Sequence, residues 1–238
     1  MNENQSVAIA TVAPARVVLV GDSTLATRTG YGDALCKLFT VEVECVNLAR
    51  GGRSSKSFRA EGLWDNVQTI LSHNRTSRSP RTSFVLIQFG HNDQPGKLGR
   101  STDLATEFPL NISRYVEEVQ TGGGRAVLVT PLTRRSFKDG TLQNDLRPWA
   151  ESVIKIAHDK SVAVIDLNAK SYAAVAAMGS TEADTLAEEP RPQAPVPDGV
   201  KTRFDYTHLG AKGAALFAKI MAEEINIYVP ALATYLRR

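Results

Sequence analysis

Three side chains that together can transfer an acyl group stand near the two ends of the sequence. Ser23 lies in the run Gly21-Asp22-Ser23-Thr24, directly after an apolar segment, and Asp205 precedes His208 by three positions. A serine hydroxyl becomes a nucleophile when a neighbouring base removes its proton, and that base needs a third group to fix its tautomer. We therefore predict that Ser23 is the nucleophile, His208 the general base and Asp205 the carboxylate that orients the imidazole.

Acyl transfer also needs hydrogen-bond donors for the negative charge that develops on the carbonyl oxygen. The backbone N–H of Ser23, the backbone N–H of Gly52 and the side-chain amide of Asn92 are predicted to form this oxyanion hole. Glycine allows the backbone at position 52 to come close to a substrate. Taken singly, these groups also have structural interpretations, namely a helix N-cap at Asp205 or Thr207, a turn at Gly51-Gly52 and an Asx-turn at Asn92-Asp93. Their joint occurrence favours catalysis.

Hydrophobic runs and periodicities predict the elements that position these groups. Nearly continuous apolar runs, typical of strands covered on both faces, are Val17-Val18-Leu19-Val20, Phe84-Val85-Leu86-Ile87, Ala126-Val127-Leu128-Val129 and Val162-Ala163-Val164-Ile165, with a weaker strand at 43–47. Helical periodicities alternate with them, which predicts an α/β fold: a three-layer α/β/α sandwich with a central, mostly parallel five-stranded sheet. No linker or repeat is visible, so we predict one domain over residues 1–238 with a core of about 16–226.

Ligands of open α/β sheets bind beyond the carboxyl ends of the strands. Polar or glycine-rich segments follow three predicted strands at 21–24, 47–54 and 90–93, and the segment 205–208 precedes the last helix. The predicted nucleophile and oxyanion donors therefore share one edge of the sheet.

In order and spacing, these four segments resemble the blocks of the SGNH, or GDSL-type, hydrolases over about residues 17–226. The similarity is greatest to the rhamnogalacturonan acetylesterase-like branch, through Gly21-Asp22-Ser23-Thr24, Gly52-Arg53-Ser54-Ser55-Lys56-Ser57, Gly90-His91-Asn92-Asp93 and Asp205-Tyr206-Thr207-His208-Leu209. The resemblance implies a flavodoxin-like SGNH fold and the same three oxyanion donors. It also implies a serine esterase, without a cofactor, that removes O-acetyl groups from a polysaccharide or oligosaccharide, with pectic rhamnogalacturonan as the expected substrate.

Two other functions stay open at the level of sequence. The same machinery serves lipases, thioesterases and lysophospholipases, and a carbohydrate-binding protein can retain a silent site. The polar character of the four segments favours a hydroxyl-rich substrate over a long acyl chain. Arg50 and Arg53 are expected to be solvated loop residues, with pairing to uronate carboxylates as the alternative.

Composition limits the partners. The chain has 238 residues, 42% of them hydrophobic, and a formal net charge of +3. This small surplus gives no reason to expect nucleic acid or a membrane as a partner, and no Cys/His cluster suggests a metal. No signal peptide is visible, which leaves both a cytoplasmic protein and a secreted protein whose leader has been removed. The sequence indicates no oligomeric state.

Several residues outside the predicted triad and oxyanion hole have expected structural roles. Cys36 and Cys45 are nine positions apart, which allows one local bridge, but we expect two unpaired, buried thiols. Asp22 is expected to brace the turn at Ser23, and His91 to pack or bond beside the site. The Arg-rich segment 73–83 and the Pro-rich loop 188–200 are expected on the surface, although that loop precedes Asp205 and is placed to wall the site.

Overall fold

The structure, a computed structural model, describes residues 13–188 and 204–237 of the chain. The strands are β1 (Ala15–Gly21), β2 (Val43–Asn47), β3 (Thr82–Gln88), β4 (Arg125–Val129), β5 (Phe137–Lys138), β6 (Thr141–Leu142) and β7 (Ala163–Ile165). The helices are α1 (Gly32–Cys36), α2 (Ser57–Ala60), α3 (Leu63–Thr76), α4 (Glu107–Thr121), α5 (Arg147–Asp159), α6 (Leu167–Asp184), α7 (Ala211–Tyr228) and α8 (Pro230–Ala233).

The central sheet has five strands in the order β2-β1-β3-β4-β7, all parallel to their neighbours. This confirms the predicted α/β fold and its five strands. The chain leaves β1 outward to β2 and then returns to β3 on the other side of β1. The strand order therefore reverses beside β1, and a crevice opens at the carboxyl ends of the strands at such a point.

Helices cover both faces of the sheet, because side chains that alternate along each strand point to opposite sides. In β1, Val17 and Leu19 pack into the core beneath α1, α6 and α7, whereas Val18 and Val20 pack into the core beneath α3, α4 and α5. Trp64 and Trp149 are buried in the second core.

The expectation of two unpaired cysteines is wrong. Cys36 at the end of α1 and Cys45 in β2 form a disulfide, with their Cα atoms 5.5 Å apart. That separation is within the usual range for a bridge. Both residues pack at the edge of the first core and are only partly buried. The spacing in sequence allows either state, and the packing of α1 on β2 decides between them.

The structure tests the expected surface location of the Arg-rich segment 73–83 but not that of the Pro-rich loop 188–200. Residues 73–76 form the last turn of α3, and 77–81 lead to β3 along an exposed path, in agreement with a surface location. Of the Pro-rich loop 188–200, only residue 188 belongs to the described residues.

Candidate active site

The turn that carries Ser23 is fixed by buried polar groups at the end of β1. Asp22 Oδ1 accepts hydrogen bonds from the Thr24 N–H at 2.9 Å and the Thr24 hydroxyl at 2.8 Å. Gln88 Nε2 donates to Thr24 Oγ1, and the hydroxyl of Tyr31 donates to Gln88 Oε1. These groups are all buried, and buried polar groups of this kind hold one geometry when each has a partner. Asp22 is thus the structural brace that the sequence predicted.

His91 lies beside this brace. Its Nδ1 is 3.2 Å from Asp22 Oδ2, and both side chains are almost fully buried. Burial alone would raise the pKa of Asp22, but His91 and the Thr24 donors lower that pKa below its ordinary value. His91 therefore supports the turn through its contact with Asp22, which confirms the expectation that it bonds beside Ser23.

Asp205 and His208 form a close pair in the segment before α7. Asp205 Oδ2 is 2.6 Å from His208 Nδ1, while Oδ1 accepts the backbone N–H groups of Thr207 and His208 at 2.8 and 2.9 Å. Partial burial raises the pKa of Asp205, but these N–H groups and the imidazole lower it below its ordinary value. An ionised Asp205 keeps the proton of a neutral imidazole on Nδ1, which leaves Nε2 free to act as a base.

A buried arginine that sequence reasoning missed holds the back of this segment. Arg135 Nη2 donates to the carbonyl oxygens of Asp205 and His208, both at 2.8 Å, and the Arg135 backbone N–H donates to Tyr206 O. Burial lowers the pKa of Arg135 to about 10, and the charges of Asp205 and Asp184 oppose that effect. The guanidinium thus stays charged at neutral pH. Nothing in the sequence marks Arg135 for this role, because its partners are backbone carbonyls of a segment far along the chain.

Ser23 and His208 are linked through Thr29 and not by a direct hydrogen bond. The Thr29 hydroxyl donates to Ser23 O at 2.8 Å, and Thr29 O accepts the N–H of Leu209, the residue after His208, at 2.9 Å. Neither Ser23 Oγ nor His208 Nε2 has a hydrogen-bond partner among the described residues. Catalytic hydrogen bonds are often long in the absence of substrate.

Two of the predicted oxyanion donors are unpaired. Within residues 13–188 and 204–237, the backbone N–H groups of Ser23 and Gly52 donate to no protein acceptor. A Cβ added at Gly51 would stand 3.7 Å from the Ser23 Cβ, so the glycine segment runs alongside the nucleophile. Gly52 has a φ of +77°, a left-handed conformation that favours glycine. Unpaired N–H groups near a nucleophile are what an oxyanion requires.

The third predicted donor, Asn92, is held from both ends of its amide. Asn92 Nδ2 donates to Arg53 O at 3.0 Å, and Lys97 Nζ lies 3.4 Å from Asn92 Oδ1 while it donates to His91 O at 2.7 Å. These contacts fix which side of the amide carries the nitrogen. The nitrogen has two protons, and one of them is left for a substrate.

Asp93 joins the segment of Gly52 to the segment of Asn92. Its carboxylate accepts the Ser55 N–H at 3.1 Å, the Ser55 hydroxyl at 2.5 Å and the Thr102 hydroxyl at 3.1 Å. Burial raises the pKa of Asp93 to about 6, although the donors from Ser55 and Thr102 act to lower it. The Asn92-Asp93 pair thus serves both the predicted site and the turn beside it.

Two cavities flank these residues. One, of about 640 Å³, is lined by Thr29, Gly51 and neighbours that include Arg28 and Arg50, but by none of the predicted catalytic or oxyanion residues themselves. A second, of about 410 Å³, is lined by Asp205 and Thr207 with Arg134. A larger cavity of about 1030 Å³ lies between α1 and α7, and its lining contains none of the predicted catalytic or oxyanion residues.

Within the part of the chain that the structure describes, no group of three or more His, Cys, Asp or Glu side chains is placed to hold a metal ion. Across the same residues, no helix is long and apolar enough to cross a membrane.

The fold and this edge of the sheet define a class, the α/β/α hydrolases of the SGNH type. The model of the GDSL-like lipase/acylhydrolase family matches residues 19–216. The chain belongs to this family, as its four motif segments predicted.

Proteins similar to this chain include named esterases. Rhamnogalacturonan acetylesterase RhgT of Bacillus subtilis (strain 168) is 33% identical over 223 residues, which cover 90% of this chain and 90% of RhgT. The solved structure of protein YXIM of Bacillus subtilis has a TM-score of 0.69 at 21% identity over 91% of this chain, which spans 57% of that protein. Axe2, an acetylxylan esterase from Geobacillus stearothermophilus, has a TM-score of 0.62 at 17% identity, with 90% of this chain and 94% of Axe2 covered. The last two similarities concern the fold.

Proposed function

We propose that this chain is a serine esterase that removes O-acetyl groups from a carbohydrate, with Ser23, Asp205 and His208 as its catalytic triad. The observation that carries the proposal is the Asp205–His208 pair. Asp205 Oδ2 is 2.6 Å from His208 Nδ1, and Thr29 ties this segment to the Ser23 turn. A base with a fixed tautomer beside an unpaired serine hydroxyl is the requirement for nucleophilic acyl transfer.

The reaction proceeds in two half-steps. His208 Nε2 takes the Ser23 hydroxyl proton as Oγ attacks the ester carbonyl, and the carbonyl π electrons move to the oxygen. The Ser23 N–H, the Gly52 N–H and Asn92 Nδ2 donate to that oxyanion. The C–O bond to the sugar then breaks, and His208 gives its proton to the leaving hydroxyl. In the second half-reaction His208 takes a proton from water as the water oxygen attacks the acetyl carbonyl. The bond to Ser23 Oγ then breaks, His208 returns the proton to Oγ, and acetate leaves, so the chain's own groups and water suffice.

The names of relatives support an acetylated carbohydrate as the substrate. RhgT is named a rhamnogalacturonan acetylesterase and Axe2 an acetylxylan esterase. In catalytic mutants of Axe2, a serine, an aspartate or a histidine is replaced, and the aspartate precedes the histidine by three residues. Asp205 and His208 have the same spacing. This supports the same division of roles in the present chain.

The cavity lined by Thr29 and Gly51, two residues that contact the Ser23 turn, supports an acidic polymer and therefore a pectic substrate. Arg28 and Arg50 line it, and its lining includes no Asp or Glu. Within the described residues, neither arginine takes part in an ion pair. Arg53 differs, because Glu61 already holds its guanidinium. Arg28 and Arg50 are thus the arginines available to uronate carboxylates, whose planar shape suits the guanidinium fork.

Acetate release from acetylated rhamnogalacturonan, acetylated xylan and acetylated chitin fragments tests the proposal. We expect the highest kcat/KM on rhamnogalacturonan, and a rise in its KM in Arg50→Ala that is absent for xylan. Ser23→Ala and His208→Ala should each abolish release, because members of a triad act as a unit. His158→Ala is the matched control, since that imidazole is 91% exposed.

A silent carbohydrate-binding protein would release no acetate from any of these polymers. It would also fail to attach a fluorophosphonate probe to Ser23, whereas the proposed enzyme attaches the probe in the wild type and not in Ser23→Ala. Activity within about tenfold of wild type in a folded Ser23→Ala or His208→Ala would remove the triad assignment.

A further inference from the structure

The side chain of Arg53 contacts the peptide group that carries a predicted oxyanion donor. Arg53 Nη1 donates to Gly51 O at 2.8 Å. Gly51 O and Gly52 N–H belong to one peptide bond, which is trans, so the two groups point in opposite directions. The guanidinium therefore occupies the carbonyl side of this peptide and leaves the N–H side open.

Glu61 holds the guanidinium in this position. Its Oε2 accepts Arg53 Nε at 2.9 Å and Arg53 Nη2 at 2.7 Å. Two donors of the fork are thus committed to Glu61 and a third to Gly51 O. A planar guanidinium fixed at three points loses little further freedom during a reaction, unlike a lysine amine on a flexible stem.

The main chain of Arg53 contacts a second oxyanion donor, since Arg53 O accepts Asn92 Nδ2 at 3.0 Å. The turn itself is closed by a hydrogen bond from the Arg53 N–H to Arg50 O at 3.3 Å. One residue therefore bonds both the peptide of Gly52 and the amide of Asn92.

We propose that Arg53 is a positioning residue of the oxyanion hole, which fixes and polarises the Gly51–Gly52 peptide through its bond to Gly51 O. This inference rests on the proposed function. A charged donor on a carbonyl draws electron density from the amide and strengthens the N–H of the same peptide as a donor. The oxyanion exists only in the transition state, so the effect belongs to kcat and not to ground-state binding.

The first test is Arg53→Met, assayed on p-nitrophenyl acetate, on acetylated rhamnogalacturonan and on acetylated xylan. We expect kcat to fall about tenfold on all three substrates with KM unchanged, less than the loss of a whole oxyanion donor. p-Nitrophenyl acetate has no carboxylate, so it separates this role from recognition of a uronate.

Arg16→Met is the matched control. Arg16 also donates Nε and Nη2 to a single carboxylate oxygen, that of Glu44, at 3.1 and 2.9 Å, but at the amino end of β1. Arg16→Met removes an ion pair of the same bonding pattern at the opposite end of the strand, and we expect kcat within about twofold of wild type because this pair contacts none of the proposed catalytic residues.

Two further variants keep the test decisive if Arg53→Met does not fold. Arg53→Lys retains the charge but cannot bond Glu61 and Gly51 O as a fork, so its kcat should fall about threefold or more. Glu61→Gln leaves the charged donor at Gly51 O and should lose less activity than either arginine variant.

A loss of kcat smaller than these values in the folded arginine variants would overturn the proposal. A loss that appears in KM, or only on rhamnogalacturonan, would also overturn it and make Arg53 a substrate-binding residue. Absence of activity in the wild type would instead contradict the proposed function.

Discussion

The hydroxyl of Thr29 donates a hydrogen bond of 2.8 Å to the carbonyl oxygen of Ser23. The carbonyl of the same threonine accepts the N–H of Leu209, next to His208. The turn of Ser23 and the segment of His208, which are 185 positions apart in the chain, are thereby held through one residue. Small changes in the distance between a nucleophile and its base have large effects on rate, so Thr29 is a sensitive point in the site.

Thr29→Val removes the hydroxyl and keeps the shape and the backbone bond to Leu209. We expect kcat to fall about tenfold, since the Ser23 turn loses its tie to the His208 segment. The free energy of unfolding should fall by about 1 kcal/mol, the usual net value of one hydrogen bond. Steady-state kinetics and urea denaturation measure both effects.

Thr234→Val is the control for Thr29→Val. The Thr234 hydroxyl also donates to a backbone carbonyl, that of Ala231, but in the C-terminal segment. It should leave kcat unchanged. Equal kcat values for Thr29→Val and wild type would show that this hydrogen bond does not set the geometry of the site.

Asn92→Ala should lower kcat by about 10²–10³ with a smaller change in KM, because an oxyanion donor bonds the transition state better than the neutral ester. Asn111→Ala is a suitable comparison, since Asn111 Nδ2 donates to Ser55 Oγ and not to the proposed hole. A rise in KM at constant kcat would make Asn92 a binder of the ground-state substrate.

The fold could be predicted from the sequence where burial of apolar side chains alone determines the residue pattern. The apolar runs identified the central strands, because strands buried on both faces tolerate few polar residues. The hairpin of β5 and β6 was missed, although Asp139-Gly140 between Phe137–Lys138 and Thr141–Leu142 is a turn signal, and both central residues have positive φ. Helix α6 was also missed, because its alanine-rich sequence is not strongly amphipathic and Gly179 interrupts it.

The candidate site likewise contains residues that could be predicted from the sequence and residues that could not. The motif residues could be predicted because a side chain must touch the substrate with the right chemical group. Arg135 and Thr29 could not, since both bond the backbone. Arg135 donates to a carbonyl 70 positions later in the chain, and Thr29 donates to Ser23 O and accepts the N–H of Leu209. Any long donor can satisfy a carbonyl, so residue type alone does not indicate the partner. The Cys36–Cys45 bridge likewise depends on a packing distance that the spacing leaves open.

Asp93 should give the stability of the protein a distinct pH dependence. Its pKa of about 6 in the folded state lies above the ordinary value of 3.8, so the folded chain binds this proton more tightly than the unfolded chain does. Its stabilising contribution is therefore complete below pH 3.8 and is lost as the pH rises towards about 6. Asp93→Asn cannot titrate. The free energy of unfolding of the wild type minus that of Asp93→Asn should therefore fall between about pH 4 and pH 6 and then stay level.

Guanidinium denaturation of both proteins at several pH values checks this difference. Asp103→Asn serves as a control, because that carboxylate is exposed and its hydroxyl and N–H donors lower its pKa instead. A difference between wild type and Asp93→Asn that does not change with pH would contradict the role given to burial.

The lining of the cavity next to the Ser23 turn predicts a preference for short acyl groups. We expect kcat/KM to decrease from p-nitrophenyl acetate to butyrate and octanoate. The cavity lined by Thr29 and Gly51 next to the Ser23 turn is lined mainly by threonine, arginine, asparagine and small residues, with Leu48 and Leu63 as its large apolar side chains. A buried acyl chain gains about 0.8 kcal/mol per CH₂ only where such a lining is continuous. Leu63→Ala should leave the acetate value within about twofold, since an acetyl group needs no such contact. An octanoate value equal to or above that of acetate would contradict the acetylesterase assignment and favour a lipase or thioesterase.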